Sequence, residues 1–186
     1  MNSFHLNIKT TAILFFLFMM SVACTKEESA LDKYVGSYFI DEIHSSCCAY
    51  LNGDGIGNYN LLKEFQGCPG FVQEWVKGSV KRIDKSTLCY TLAIPVFVTD
   101  TDTGKGEVKY YGAQIRADWD DSNGGEIVSS ESFYPAKLEG MVGATRMVLL
   151  KSDITPNSFK LLVDCSLPDD KKNLNEGVMY LTFKKK

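Results

Sequence analysis

From residue 71 to the end of the chain, apolar and polar positions alternate in run after run, with short polar breaks between the runs. Phe159, Leu161, Val163 and Cys165 fall on one face of such a run, and Met179, Leu181 and Phe183 on one face of another. A period of two is that of a strand with one side in a core and the other in solvent. With the aromatic and β-branched stretch at 38–43, the runs at 71–83, 87–98, 107–119, 126–130, 145–152, 158–164 and 177–184 predict eight strands. Asp84-Lys85 is expected to turn a hairpin between the second and third, and Thr155-Pro156-Asn157 another between the sixth and seventh. Pro95 has no N–H for a ladder, so its end of the strand is expected at an edge or a bulge. Residues 167–176 read as an exposed loop, and 133–143, with Pro135 and two glycines, as a short helix or an irregular crossover.

Helical signals are few. Residues 31–35 suit one turn, and 61–65 another that Gly67-Cys68-Pro69-Gly70 would end. Many strands joined by short polar turns, with no strong amphipathic helix, predict an all-β fold. The expectation is one domain over 33–186, an antiparallel barrel of about eight strands, with a two-sheet β-sandwich as the alternative.

The chain before residue 33 follows a different pattern. Lys9 precedes an apolar run at 12–20, then Ser21, Val22, Ala23 and Cys24. The run falls short of the ~20 apolar residues that span a bilayer as a helix. A basic flank, a short apolar run and a small-residue exit are the parts of a secretory signal. Ser21-Val22-Ala23-Cys24 resembles the lipobox of bacterial lipoproteins, with Ser21 where Leu is usual. The resemblance implies removal of 1–23 and acyl chains on Cys24, followed by a polar tether over 24–32. An ordinary signal cut after Ala23, leaving a free thiol, is the alternative. Lys26-Glu27-Glu28 also resembles the surface-export signal of Bacteroidota lipoproteins. Together these imply a chain anchored in the outer membrane through lipid on Cys24, since two or more acyl chains hold a protein to a bilayer without a spanning helix.

Gly36-Ser37-Tyr38, behind a short turn at the start of the first strand, resembles the Gly-x-Trp that opens lipocalin-like barrels, with Tyr38 in place of Trp. The resemblance implies a barrel interior that can hold a small apolar ligand.

Charge narrows the partners. Twenty Lys and Arg stand against 23 Asp and Glu, for a formal net charge of −3. The longest basic block is Lys184-Lys185-Lys186, without the basic and aromatic interleaving that nucleic acid would want. No nucleic-acid partner is expected. Beyond Cys24 there are five cysteines, Cys47, Cys48, Cys68, Cys89 and Cys165. An odd number leaves at least one unpaired within the chain. Cys68 is expected to pair with Cys47 or Cys48, because neighbouring cysteines rarely meet disulfide geometry. Cys89 and Cys165 lie in strand-like runs and are read either as a bridge between adjacent strands or as two buried thiols.

Catalytic chemistry has little to draw on. His44 is the single histidine after residue 24, so a nucleophile–base pair with Cys47 or Cys48 would rest on it alone. It reads more simply as a loop histidine. The stretch Asn52-Gly53-Asp54-Gly55-Ile56-Gly57-Asn58 invites a calcium reading. With Gly55 at position 6 of an EF-hand loop, however, Tyr50 and Leu61 fall at ligand positions 1 and 12, so a glycine-rich turn is expected. Glu74, Glu107, Asp118 and Asp120 read as strand or turn acids. Trp75, Tyr90, Tyr110, Tyr111 and Trp119 read as core or cross-strand aromatics before pocket lining. No metal and no cofactor is expected. The function expected is a non-catalytic ligand-binding or accessory module that meets the membrane through Cys24 and either a small apolar ligand or a protein partner. The alternative is an inhibitor, immunity-type protein or assembly subunit, with a hydrolase ranked last.

Overall fold

A computed structural model describes residues 29–99, 106–120, 126–133, 146–149 and 153–186, with the side chains of 99, 120, 126–133 and 146 left out. Nine strands form among the described residues: β1 Gly36–Ala49, β2 Asn58–Asn60, β3 Lys77–Arg82, β4 Thr87–Thr99, β5 Gly106–Asp120, β6 Glu126–Phe133, β7 Arg146–Leu149, β8 Ser158–Pro168 and β9 Leu174–Lys185. They make one antiparallel sheet in the order β6-β5-β4-β3-β1-β9-β8-β7, with β2 a side branch on β1. Main strands consecutive in sequence thus pair, except β6 and β7, which are the two edges, and β1 pairs with both β3 and β9. The sheet curls until it nearly closes into a barrel. The all-β antiparallel barrel expected from the alternation is the fold observed.

The interior is packed with the chain's own side chains. Phe159 stacks on Phe183 at 4.9 Å and meets Tyr38 and Tyr90 at 5.0 Å each. All four are at most 1 % exposed. Each such burial contributes roughly 1.5–3 kcal/mol. The alternation along β1 slips once. Ile40 pairs with Phe183 but Glu42 with Thr182, so Asp41 is an extra residue on that strand. This bulge lets Tyr38 and Ile40 face inward on one side of it and Ile43 and Ser45 on the other. Lys184 binds the Asp41 carboxylate at 2.8 Å.

One end of the barrel is closed by the residues that precede β1. A 3-10 turn at Asp32–Tyr34 buries Tyr34, and Leu31 is 1 % exposed. Leu31, read from sequence as tether, therefore belongs to the folded unit. The Tyr38 hydroxyl donates to the Tyr34 and Pro156 carbonyls at 2.7 and 3.1 Å. Lys185 crosses Gly36, lies 6.0 Å from the Tyr38 ring centre and donates to the Lys33 carbonyl at 3.0 Å. Trp119 packs on Tyr34 at 5.4 Å.

Several boundaries differ from expectation. The run at 71–83 is not one strand. A 3-10 turn at Gln73–Trp75 interrupts it, and only Lys77–Arg82 pairs in the sheet. β1 continues through His44 to Ala49, and β8 and β9 extend to Pro168 and from Leu174, which shortens the expected loop to 169–173. Pro95 lies where β4 has passed the end of its pairing with β3, as its missing N–H requires. The expectation for 133–143 falls, after Phe133, outside the described residues.

Candidate functional site

The other end of the barrel, its mouth, is covered by the segment between β1 and β3. Asn60 caps a two-turn helix, α1 (Leu61–Gln66), accepting the Lys63 N–H at 3.4 Å. Leu61, Glu64 and Phe65, at i, i+3 and i+4, form its buried face. Glu64 is 2 % exposed, and its carboxylate accepts the Leu51 N–H at 3.0 Å and the Asn52 N–H at 3.5 Å. A buried carboxylate costs several kcal/mol unless such donors meet it. Here it staples the preceding loop to the helix. Phe71 stacks on Phe65 at 5.7 Å. The chain is tied to both sides of the mouth. The Tyr50 N–H donates to the Pro168 carbonyl at 3.0 Å on β8, the Val108 N–H of β5 donates to the Pro69 carbonyl at 2.9 Å, and the Tyr110 hydroxyl bonds the backbone of Val72.

Beneath this plug lies an apolar cavity of about 30 Å³, lined by Leu51 and Phe65 from the plug and by Ile94, Met147, Cys165 and Met179 from the barrel, among others. Above it, the plug's outer side is apolar in places. Five large apolar side chains are exposed among the described residues: Ile56, Tyr59, Trp75, Ile83 and Leu174. The first three belong to the segment over the mouth, and Leu174 pairs with Pro168 at its rim. Trp75 leans edge-on against Tyr110 at 5.3 Å.

The glycine-rich loop is a turn held by its own side chains. Asn52 Oδ1 accepts the Asp54 N–H at 3.0 Å, and Asp54 Oδ1 accepts the Ile56 N–H at 2.7 Å. Among the described residues no group of three or more His, Cys, Asp or Glu is placed to hold a metal ion. His44 lies on β1 beside Glu42 at 3.7 Å, both about half exposed. Glu74, Glu107 and Asp118 are exposed and separate; Glu107 pairs with Lys109 at 2.9 Å and Asp118 accepts the Thr87 hydroxyl at 2.9 Å. For Asp120 only the backbone, paired with Glu126 at the end of β5, is described. Tyr90 is core, and Trp119 packs on Tyr34. Trp75 and Tyr110 belong instead to the mouth, which aromatic content alone did not reveal.

Cys24, the expected lipid anchor, lies outside the described residues. The other five cysteines are free thiols: the expected bridge from Cys68 to Cys47 or Cys48 is not formed, and of the two readings of Cys89 and Cys165 the bridge is not the one found. The side-chain alternation of β1 explains the first. Cys47 faces the core, where a Cβ built on Gly177 would lie 2.6 Å from its sulfur. Cys48 turns the other way, against Gly57 and Tyr50. Cys68 is buried at the end of α1 and donates to the Glu64 carbonyl at 3.2 Å. Burial, and then Glu64, push its thiol up to about 11. Cys89 and Cys165 stand on β4 and β8, which are not neighbours in the sheet. Cys89 is half-buried on the outer face between Leu88 and Tyr90, and Cys165 is buried. Burial, and then the nearness of Cys47, push the Cys165 thiol up to about 12. A thiol that keeps its proton at neutral pH is a poor nucleophile.

Compared with known protein families, curated proteins and solved structures, the chain matches none. Among the described residues no helix is long and apolar enough to cross a membrane.

Proposed function

We propose that this chain is a non-catalytic binding or accessory module, anchored in an outer membrane by acyl chains on Cys24, with the mouth of its barrel as the working surface. The observation that carries the reading is that four exposed large apolar side chains, Ile56, Tyr59, Trp75 and Leu174, belong to the plug and the rim over an apolar interior. Exposed large apolar side chains on one segment of a fold are what a ligand or partner would cover. The anchor and location rest on the signal-like residues at 9–24. The lipocalin-like reading is supported by the meander order with β1 joined to β9, and by Gly36-Ser37-Tyr38 at the closed end.

An apolar ligand inside the barrel requires the plug to move. Ligand pockets are typically ~300–1,000 Å³, and the cavity under Phe65 is about 30 Å³. Titration with a dansyl-labelled undecanoic acid tests this. Saturable binding by the wild type, lost in Val163→Phe, whose ring would fill the cavity, supports the interior ligand.

A protein partner, as for an inhibitor or assembly subunit, is the second reading. The loop favours it, because Ile56 is 68 % exposed on a turn already ordered by its own hydrogen bonds. A preordered contact loop loses less entropy on binding. Crosslinking on native membranes would then give a discrete adduct that Ile56→Asp/Tyr59→Asp removes. Absence of both probe uptake and such an adduct would overturn the proposal.

A further inference from the structure

Sulfur-bearing side chains gather on adjacent rungs of the interior near the mouth. Gly177 on β9 pairs with Cys165 on β8. On the other side of β9, Ser45 of β1 pairs with Met179, so Cys47, two residues further, flanks Gly177. Because Gly177 has no side chain, the Cys47 sulfur occupies the space where one would begin. Two thiols therefore face one another across a glycine, one from each neighbouring strand. On the next rung Val163 pairs with both Met147 and Met179. Met147, Met179 and Cys165 line the same cavity of about 30 Å³, which exceeds the ~10–15 Å³ that one water needs. Cys165 and Gly177 also line an outer groove of about 420 Å³ with Asp164 and Glu176. Cys165 thus borders both a groove edged by carboxylates and an apolar cavity that holds three sulfur-bearing side chains.

Thiolate and thioether donors select soft ions, Cu(I) above all among biological metals. No carboxylate and no imidazole is among the side chains lining that cavity. We propose that Cys47, Cys165 and Met179, with Met147 as a further donor, form a binding site for a single soft monovalent ion, Cu(I), where the two thiols meet across Gly177. As each S–Cu bond forms, the thiol gives its proton to solvent. The copper remains Cu(I) and no electron moves.

The test is anaerobic titration of Cu(I), kept reduced with ascorbate, into the full chain carrying Cys24→Ser, against a chromophoric Cu(I) chelator. Cys48→Ser/Cys68→Ser/Cys89→Ser should retain one Cu(I) per chain. Cys47→Ser and Cys165→Ser, each made in that background, should lose it. Met179→Leu should weaken it by about 10–100-fold, the range over which supporting groups tune metal sites. X-ray absorption on the loaded chain should show sulfur alone around copper. Cys47 is only half-buried, so Cys47→Ser keeps the test decisive if Cys165→Ser fails to fold. Absence of Cu(I) from the triple variant, or retention after Cys47→Ser in that background, would overturn the proposal.

Discussion

At the scale of the residue, two tyrosines in one aromatic cluster are expected to respond oppositely to the same change. The Tyr38 hydroxyl makes two hydrogen bonds that close the end of the barrel. The Tyr90 hydroxyl is buried with no partner among the described residues. Tyr38→Phe should cost about 1–2 kcal/mol, since a buried hydrogen bond contributes ~0.5–1.5 kcal/mol and its loss strands acceptors. Tyr90→Phe removes an unmet polar group and should leave stability unchanged or raise it by up to ~1 kcal/mol. Thermal melts compare them directly, at roughly 2–4 °C per kcal/mol for a chain of this size. A matching fall in both melting temperatures would show that Tyr90 has a bond the geometry does not give it. Thiol reactivity is a second residue-level check. Iodoacetamide at pH 7.5 should label half-exposed Cys48 and Cys89 first, and buried Cys68 and Cys165 only on unfolding. Early labelling of Cys165, read by peptide mass, would contradict its burial.

At the scale of the element, the plug depends on one carboxylate. Glu64→Ala removes the acceptor for Leu51 and Asn52, and stranding buried donors costs about 1–3 kcal/mol. Hydrogen exchange at 51–52 should quicken in Glu64→Ala and much less in Glu64→Gln, which keeps an oxygen. Uniform quickening over all strands would instead make Glu64 a global prop. This is also the scale at which the sequence was most readable. Alternation at Phe159–Cys165 and Met179–Phe183 reports an inner face directly, and those strands are where it places them. Trp75 and Val76 read as strand because they are apolar and aromatic, but Trp75 is exposed on a 3-10 turn. Polar Asn175 and Glu176 concealed the start of β9, because at a strand's outer end cross-strand hydrogen bonds hold what apolar burial does not. The Asp41 bulge leaves no local mark, and only the shift from Tyr38 and Ile40 to Ile43 hints at it. The plug was legible in part. Leu61, Glu64 and Phe65 have helical spacing, but a short helix does not say which cavity its face will cover. Cys68 finds no partner on β1, where Cys47 and Cys48 point to opposite sides of one strand, and Cys89 and Cys165 follow the unbridged reading, Cys165 buried and Cys89 half-buried.

At the scale of the whole molecule, stability should fall on the alkaline side. Burial raises Cys68 to about 11, and Cys165 and Tyr38 to about 12, above ordinary values of 9 and 10. The folded chain therefore holds protons that the unfolded chain has released. That stabilisation is complete below about pH 9 and shrinks as pH rises through the folded values, by at most ~1.4 kcal/mol per pH unit for each group. Urea midpoints at pH 8, 9.5 and 11 should decline in that order. A flat profile would mean that these groups exchange with solvent as freely folded as unfolded.

On the proposed function, this barrel is carried on a membrane through Cys24 and presents its mouth to a ligand or partner. The most direct measurement of this is the intact mass of the chain purified from its native membrane. The account predicts a chain that begins at Cys24 and carries acyl mass on that residue. A chain with an unmodified Cys24 would contradict it, and the barrel would then be a diffusible carrier with no fixed orientation toward a membrane.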